Sequence, residues 1–323
     1  MALALDILTV LLLGLVYLPI FMLITVLLIN STNTAFRDVS VDGIMCVEGK
    51  IYNSTGKIQS IQWISISVSG LITGIGGGYI AEKWGYRMGF LCLIPFYLLV
   101  GITAYFYKET GTFINPVRNT KAIREKNEIS NGVKSKSSFF TDLKKLFADK
   151  KLIIIGLFIF LYKYSPSFGT PLFFIQRDMF KWNKIWIGTL GTIGTVFEIS
   201  GALLYYKFSQ KIKIKKWLFF SVFLGALTSL SYLYYTPVTA VIYNVLYGVI
   251  GMFIFLMVMD FMARNTLKGL EATSFALLCS ISNLALIASN LSGAFLLPKI
   301  GLEWLIVLSS LTSFLCLPLI KKI

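Results

Sequence analysis

The chain has 323 residues, 56% of them hydrophobic, and a mean hydropathy of +0.75; no water-soluble domain hides that much apolar surface, which leaves an all-α, polytopic membrane protein. The net charge of +15 points to nucleic acid in a soluble protein, but here it needs only the Lys/Arg excess of cytoplasmic loops, so no nucleic-acid partner is expected. Histidine is absent, which excludes a histidine proton relay and histidine metal ligands, and the four scattered cysteines have neither metal-ligand nor disulfide-framework spacing.

Each crossing needs about 20 mostly apolar residues. Residues 2–17 and 19–46 read as two spans broken near Pro19, the first short and carrying Asp6. The second holds a polar stripe, Asn30, Asn33, Thr34, Arg37 and Asp38. At about 100° per residue these five side chains occupy a sector of roughly 140° on an otherwise apolar helix. An arginine and two aspartates, Asp38 and Asp42, are costly in such a segment unless they face protein or a water-filled cavity, so the stripe points to a solute pathway. Arg37 can grip a carboxylate bidentately. Asp38 can bond an amino group or take a coupled proton. The alternative is an internal Arg37–Asp38 or Arg37–Asp42 pair, although neighbours in sequence face apart on a helix. Asp42, one turn nearer the cytoplasm, reads as part of a gate or a packing salt bridge.

Two further spans are predicted at about 60–80 and 88–107. Within the first, Gly70, Gly74, Gly76, Gly77 and Gly78 predict close helix approach. The stretch 108–151 is polar and basic in its middle, a composition that predicts flexibility. Its end places Phe139, Phe140, Leu143, Leu146 and Phe147 at helical spacing, as in a short amphipathic helix on the inner surface or the start of the next span.

Six spans follow, at about 152–176, 185–206, 217–234, 239–261, 272–296 and 302–320, making ten in all, or nine if the first 46 residues hold one full crossing. Lys163 and Glu198 lie mid-span in consecutive antiparallel helices and are expected to pair, either statically or as a pair that solute or proton breaks. Pro166, Gly169 and Pro171 interrupt the Lys163 helix, as a hinge with free backbone groups or as a packing kink. Asp260 and Arg264, i and i+4, cluster with Glu271 at an inner end and read as a gate network. Asn283 and Asn290 share a face, lining a cavity or bonding a neighbouring helix.

If 108–151 is cytoplasmic, the inner side carries 22 Lys/Arg and the outer side six. That asymmetry predicts a cytoplasmic C-terminus in a multi-pass protein of the cell membrane. An N-terminal bundle over 1–107, a basic loop over 108–151 and a six-helix bundle over 152–323 match the layout of the major facilitator superfamily. No phosphate-binding GxxxxGK[ST] motif occurs, so no ATP-driven engine and no cofactor are expected. No nucleophile–base set is visible either, so an enzyme is not expected.

Four ordered stretches carry a resemblance: DVSVDGIMCVEGK with GKIQSIQW (Asp38 to Trp63), GLITGIGGGYIAEKWGYRMGF (Gly70 to Phe90), FIFLYKYSPSFGTPLFF with IGTLGTIGTVFEISGALLYYKF (Phe158 to Phe208), and VMDFMARNTLKGLEATSFALLCSISNLA (Val258 to Ala285). Together they resemble the folate-biopterin transporter family, a branch of the major facilitator superfamily. The resemblance implies a twelve-helix fold, alternating access, and uptake of folates or pterins with a proton. Against that pattern about two spans and the basic loop after the second are missing at the start. The expected partners are a small-molecule solute, protons and the bilayer, and the carrier is expected to be a monomer. The alternatives are a carrier of another small anion or amino acid, or a truncated remnant that does not transport.

Overall fold

The computed structural model describes residues 2–106, 139–182 and 184–323, and among the described residues all regular structure is helical. Helix α1 (Ala2–Leu15) stops before Pro19, and α2 (Ile20–Ile51) begins just after it; the proline ring clashes with a preceding carbonyl and breaks the run. A turn with Asn53 at φ 49 leads into α3 (Thr55–Trp84); asparagine tolerates that left-handed conformation. The expected span at 88–107 is built from two pieces, α4 (Tyr86–Leu91) and α5 (Ile94–Phe106).

The flexible stretch expected over 108–138 lies outside the described residues. Helix α6 (Phe139–Ala148) is an element of its own and not the start of the next span. Asp149 separates it from α7 (Lys150–Lys163) as an N-cap, accepting from the Leu152 amide at 2.7 Å. On α6, Leu146 is buried, while Lys144, Lys145 and Phe147 are exposed; the side chains of Phe139, Phe140 and Leu143 lie outside the described set.

Helix α7 ends at Lys163, and Tyr164 turns extended at φ −81, ψ 117. Helix α8 (Gly169–Phe174) then runs into a π-helical turn, Ile175–Met179. Helices α9 (Lys184–Phe208), α10 (Ile214–Ser231), α11 (Pro237–Arg264), α12 (Glu271–Thr312) and α13 (Leu317–Ile320) complete the chain. A Thr236–Thr239 capping box and Pro237 at the first position start α11.

Seven segments of the described residues are long and apolar enough to cross a membrane. The last, Glu271–Ile320, has 50 residues. At helical rise that is about 75 Å, more than twice the hydrocarbon thickness. Gly301, at φ 76, divides it into the two expected crossings. With the shorter α1 and the interrupted α7–α8, every predicted span has a helical counterpart. The protein is an all-α, polytopic membrane protein.

The chain forms two compact units, one from Met1–Ile44 and Val68–Glu128, the other from Met45–Ser67 and Ile129–Ile323. In the first unit α1 packs on α4 and α5, with Gly14 facing Leu91 and Gly101 facing Leu3. In the second unit the core gathers Ile155, Phe158, Tyr205, Leu256, Phe275 and Leu278, all fully buried. Its closest helix pair is α9 with α11. A Cβ on Gly248 would stand 2.7 Å from the Gly194 carbonyl oxygen and 2.8 Å from the Phe197 Cβ. Among the described residues the close approach predicted for the Gly70 stripe is not made: none of their atoms lies within 4 Å of a Cβ built on Gly70, Gly74, Gly76 or Gly77. A small side chain permits contact but does not bring a neighbour.

At the break after Lys163 the chain bonds to α12. The Ser167 amide donates to the Ser289 carbonyl at 3.0 Å. The Ser289 hydroxyl donates to the Ser165 carbonyl, and the Ser165 hydroxyl donates to the Ser309 carbonyl at 2.9 Å. Backbone groups freed by the break are thus bonded by α12, as the hydrocarbon interior demands.

Candidate functional site

The polar stripe of α2 finds its partners on α1. Asp6, fully buried, accepts from Asn33 Nδ2 at 2.7 Å through one carboxylate oxygen and from Arg37 Nη1 at 2.5 Å through the other. Asn30 Nδ2 donates to Thr9 Oγ1 at 2.8 Å, and Thr9 donates to the Asp6 carbonyl at 2.9 Å. The second amino group of Arg37 reaches Thr34 Oγ1 at 3.4 Å, and its guanidinium stands 5.6 Å from the centre of the Tyr97 ring on α5. The Arg37 side chain stays 28% exposed, while the Asp6 carboxylate it bonds is fully buried.

The internal pair within α2, the alternative to a solute pathway, is not formed among the described residues. Arg37 is joined to neither Asp38 nor Asp42 but to Asp6, 31 positions earlier. Asp38 lies at the margin of the polar sector and is exposed, and Asp42 is half-buried. In the sequence Asp6 stood out only as the charge carried by a short first span. The signal that could have found it is cost: an ionised carboxylate in an apolar helix needs a partner.

A second cluster forms inside the other unit. Asp260, fully buried on α11, accepts from Arg264 Nε at 2.9 Å and Nη2 at 2.8 Å, from the Tyr205 hydroxyl at 2.8 Å and from the Thr55 hydroxyl. The bidentate fork and two hydroxyls use the carboxylate fully. Gly56 makes this possible, because a Cβ there would stand 2.8 Å from an Asp260 oxygen and 2.7 Å from the Ser209 Cβ. Lys50 Nζ donates to the Thr266 carbonyl at 2.7 Å. Glu271, buried in the first turn of α12, acts electrostatically on Lys50 and takes no part in the Asp260–Arg264 bonds. Tyr205 and Thr55 carry no chemical signal in the sequence; burial against Asp260 alone makes them part of the site.

The ion pair expected between Lys163 and Glu198 does not form among the described residues. Lys163 instead places its ammonium 5.1 Å from the centre of the Phe255 ring, and Glu198 is half-buried on α9. Equal depth on adjacent helices does not make two side chains face each other. Asn283 and Asn290 are both exposed on α12. Outside the membrane segments, Arg177 hydrogen-bonds its neighbour Asp178 at 2.6 Å and 2.9 Å, which holds that carboxyl below its usual range. Among the described residues no group of three or more His, Cys, Asp or Glu is placed to hold a metal.

Each cluster is an ion pair held among helices of its own unit, and a charge carried by an apolar helix needs such a partner. A folate-biopterin transporter of Synechocystis sp. is 24% identical over 314 residues, covering 91% of this chain and 60% of the relative. The chain therefore spans about 60% of the length of that curated relative. The sequence profile of the BT1 family matches residues 4–323, and the chain belongs to the BT1 family.

Proposed function

We propose that this protein is a secondary carrier of folate- or pterin-type solutes, working by alternating access and driven by protons. The observation that carries the reading is the Asp6–Arg37 pair with its two asparagines. Asp6 occupies part of the Arg37 fork in place of a solute carboxylate. A proton taken by Asp6 weakens its hold and frees the guanidinium for the solute carboxylate; solute and proton then leave on the other side, and the Asp6–Arg37 bond re-forms in the empty carrier. Asn30 and Asn33 offer amide groups for the polar edge of a flat ring. Asp38, Lys163, Glu198 and Asn283 belong to the pathway. Asp42 and the Asp260–Arg264 pair with Glu271 form the gate or structural network. Membership of the BT1 family and the name borne by the Synechocystis sp. relative support the solute class.

The rest of the reading follows from the charge pattern and composition. The chain acts as a monomeric, non-enzymatic carrier of the cell membrane, with a cytoplasmic C-terminus. Its bundles, 1–107 and 152–323, joined by 108–151, are of major-facilitator type. A carrier of another small anion or an amino acid uses the same chemistry, because Arg37 recognises any carboxylate.

The test is uptake of labelled folate into cells lacking their own folate uptake, with variants matched for membrane abundance. Uptake by the wild-type chain that Arg37→Ala abolishes supports the reading. Absence of folate uptake by the well-inserted chain, with uptake of an amino acid that depends on Arg37, replaces folate with that solute. Transport of neither removes the carrier reading.

A further inference from the structure

Lys163 is an ionisable group that neither cluster uses. It is the last residue of α7 and half-buried, and the hydropathy pattern puts it within a span. Among the described residues no carboxylate pairs with it and no acceptor takes a hydrogen bond from it; its recorded neighbour is the Phe255 ring face, 5.1 Å away. The helix end and the ring quadrupole both favour a cation there, but neither is a hydrogen-bond acceptor for three N–H groups. An ammonium kept at that depth without an acceptor marks a place for an anion.

The rings beside it define the shape of that anion. Trp63 meets Phe255 edge to face, with ring centres 4.5 Å apart at 79°, and Trp63 is only half-buried. Phe160 and Tyr164, flanking Lys163 in sequence, stack at 5.9 Å and 6°. All five residues belong to the unit Met45–Ser67 with Ile129–Ile323. Aromatic walls beside one unpaired cation suit a planar ring that carries a carboxylate.

We propose that Lys163, with Phe255 and Trp63, forms a subsite for an aromatic carboxylate, distinct from the Arg37 cluster. The proposal rests on the reading of this chain as a solute carrier, but not on the solute being folate. The ammonium binds the carboxylate and the two rings hold the planar part.

The experiment measures equilibrium binding to the purified chain of folate, which has ring and carboxylates, of biopterin, a pterin without a carboxylate, and of glutamate, which has no ring. Lys163→Met is expected to weaken folate about tenfold or more and leave biopterin within about twofold, while Lys163→Arg restores most folate binding. Trp63→Leu is expected to weaken folate and biopterin alike. Wild-type folate affinity in Lys163→Met overturns the subsite, and so does equal loss of folate and biopterin in that variant at an unchanged melting temperature. If the folded wild-type chain binds none of the three probes, the folate reading fails and the subsite is decided separately. Lys163 is then labelled with trinitrobenzenesulfonate, and protection by 1-naphthoate but not by naphthalene methanol upholds the subsite. Equal labelling with and without 1-naphthoate overturns it.

Discussion

Asp6 and Arg37 meet because two apolar helices joined by a proline break lie side by side. Each charge alone is costly in hydrocarbon, and together they share one ion pair with an asparagine on the remaining oxygen. Asp6→Asn is therefore expected to abolish proton-driven accumulation of solute while leaving solute exchange across the membrane. Accumulation at the wild-type level in that variant under an imposed proton gradient counts against Asp6 as the proton carrier. Asp260 is tied differently, by an arginine fork and two hydroxyls with no exposed edge of its own. Asp260→Ala strands Arg264 and is expected to cost about 3–5 kcal/mol. Tyr205→Phe removes one bond to the same carboxylate and is expected to cost about 1 kcal/mol. Thermal unfolding of the purified variants measures both. Neither Tyr205 nor Thr55 differs, in sequence, from the other tyrosines and threonines of the chain, and only the approach of α3 and α9 to α11 singles them out.

At the scale of the element, hydropathy located the helices and misplaced their contacts. The α9–α11 pair is closed by Gly248 against the Gly194 backbone, whereas the glycine-rich run of α3 faces open space. Gly248→Leu is expected to destabilise the bundle by about 3 kcal/mol or more through overpacking. Gly74→Leu is expected to leave the melting temperature unchanged within about a degree, since nothing stands where the side chain would go. Equal losses for the two variants would show that α3 has a neighbour at Gly74. Asp149 shows the opposite case, a local signal read by a local structure. It caps α7 and separates α6 as a helix of its own, and Asp149→Ala is expected to cost about 1 kcal/mol in the same unfolding measurement.

For the whole molecule, the charge asymmetry of the loops is the strongest global signal: on the topology proposed above, 22 Lys/Arg fall on the inner side and six on the outer. A fluorescent protein that folds only in the cytoplasm, fused after Ile323, is expected to fluoresce, while the same reporter inserted between Tyr234 and Thr236 is expected to stay dark. The reverse pattern inverts the topology. Helix content and the membrane class were legible because each rests on composition summed over windows of about 20 residues, and the cost of exposing a backbone to lipid leaves few structures to choose from; the family was legible from the four ordered stretches between Asp38 and Ala285. The Asp260–Arg264 pair was legible, because i and i+4 share a helix face. The distant partners were not: that of Arg37 lies 31 positions away, and Tyr205 and Thr55 lie 55 and 205 positions from Asp260, and no local rule distinguishes such partners from other polar residues. Helix packing selects them, because a buried carboxylate accepts whichever donors the neighbouring helices bring within about 3 Å.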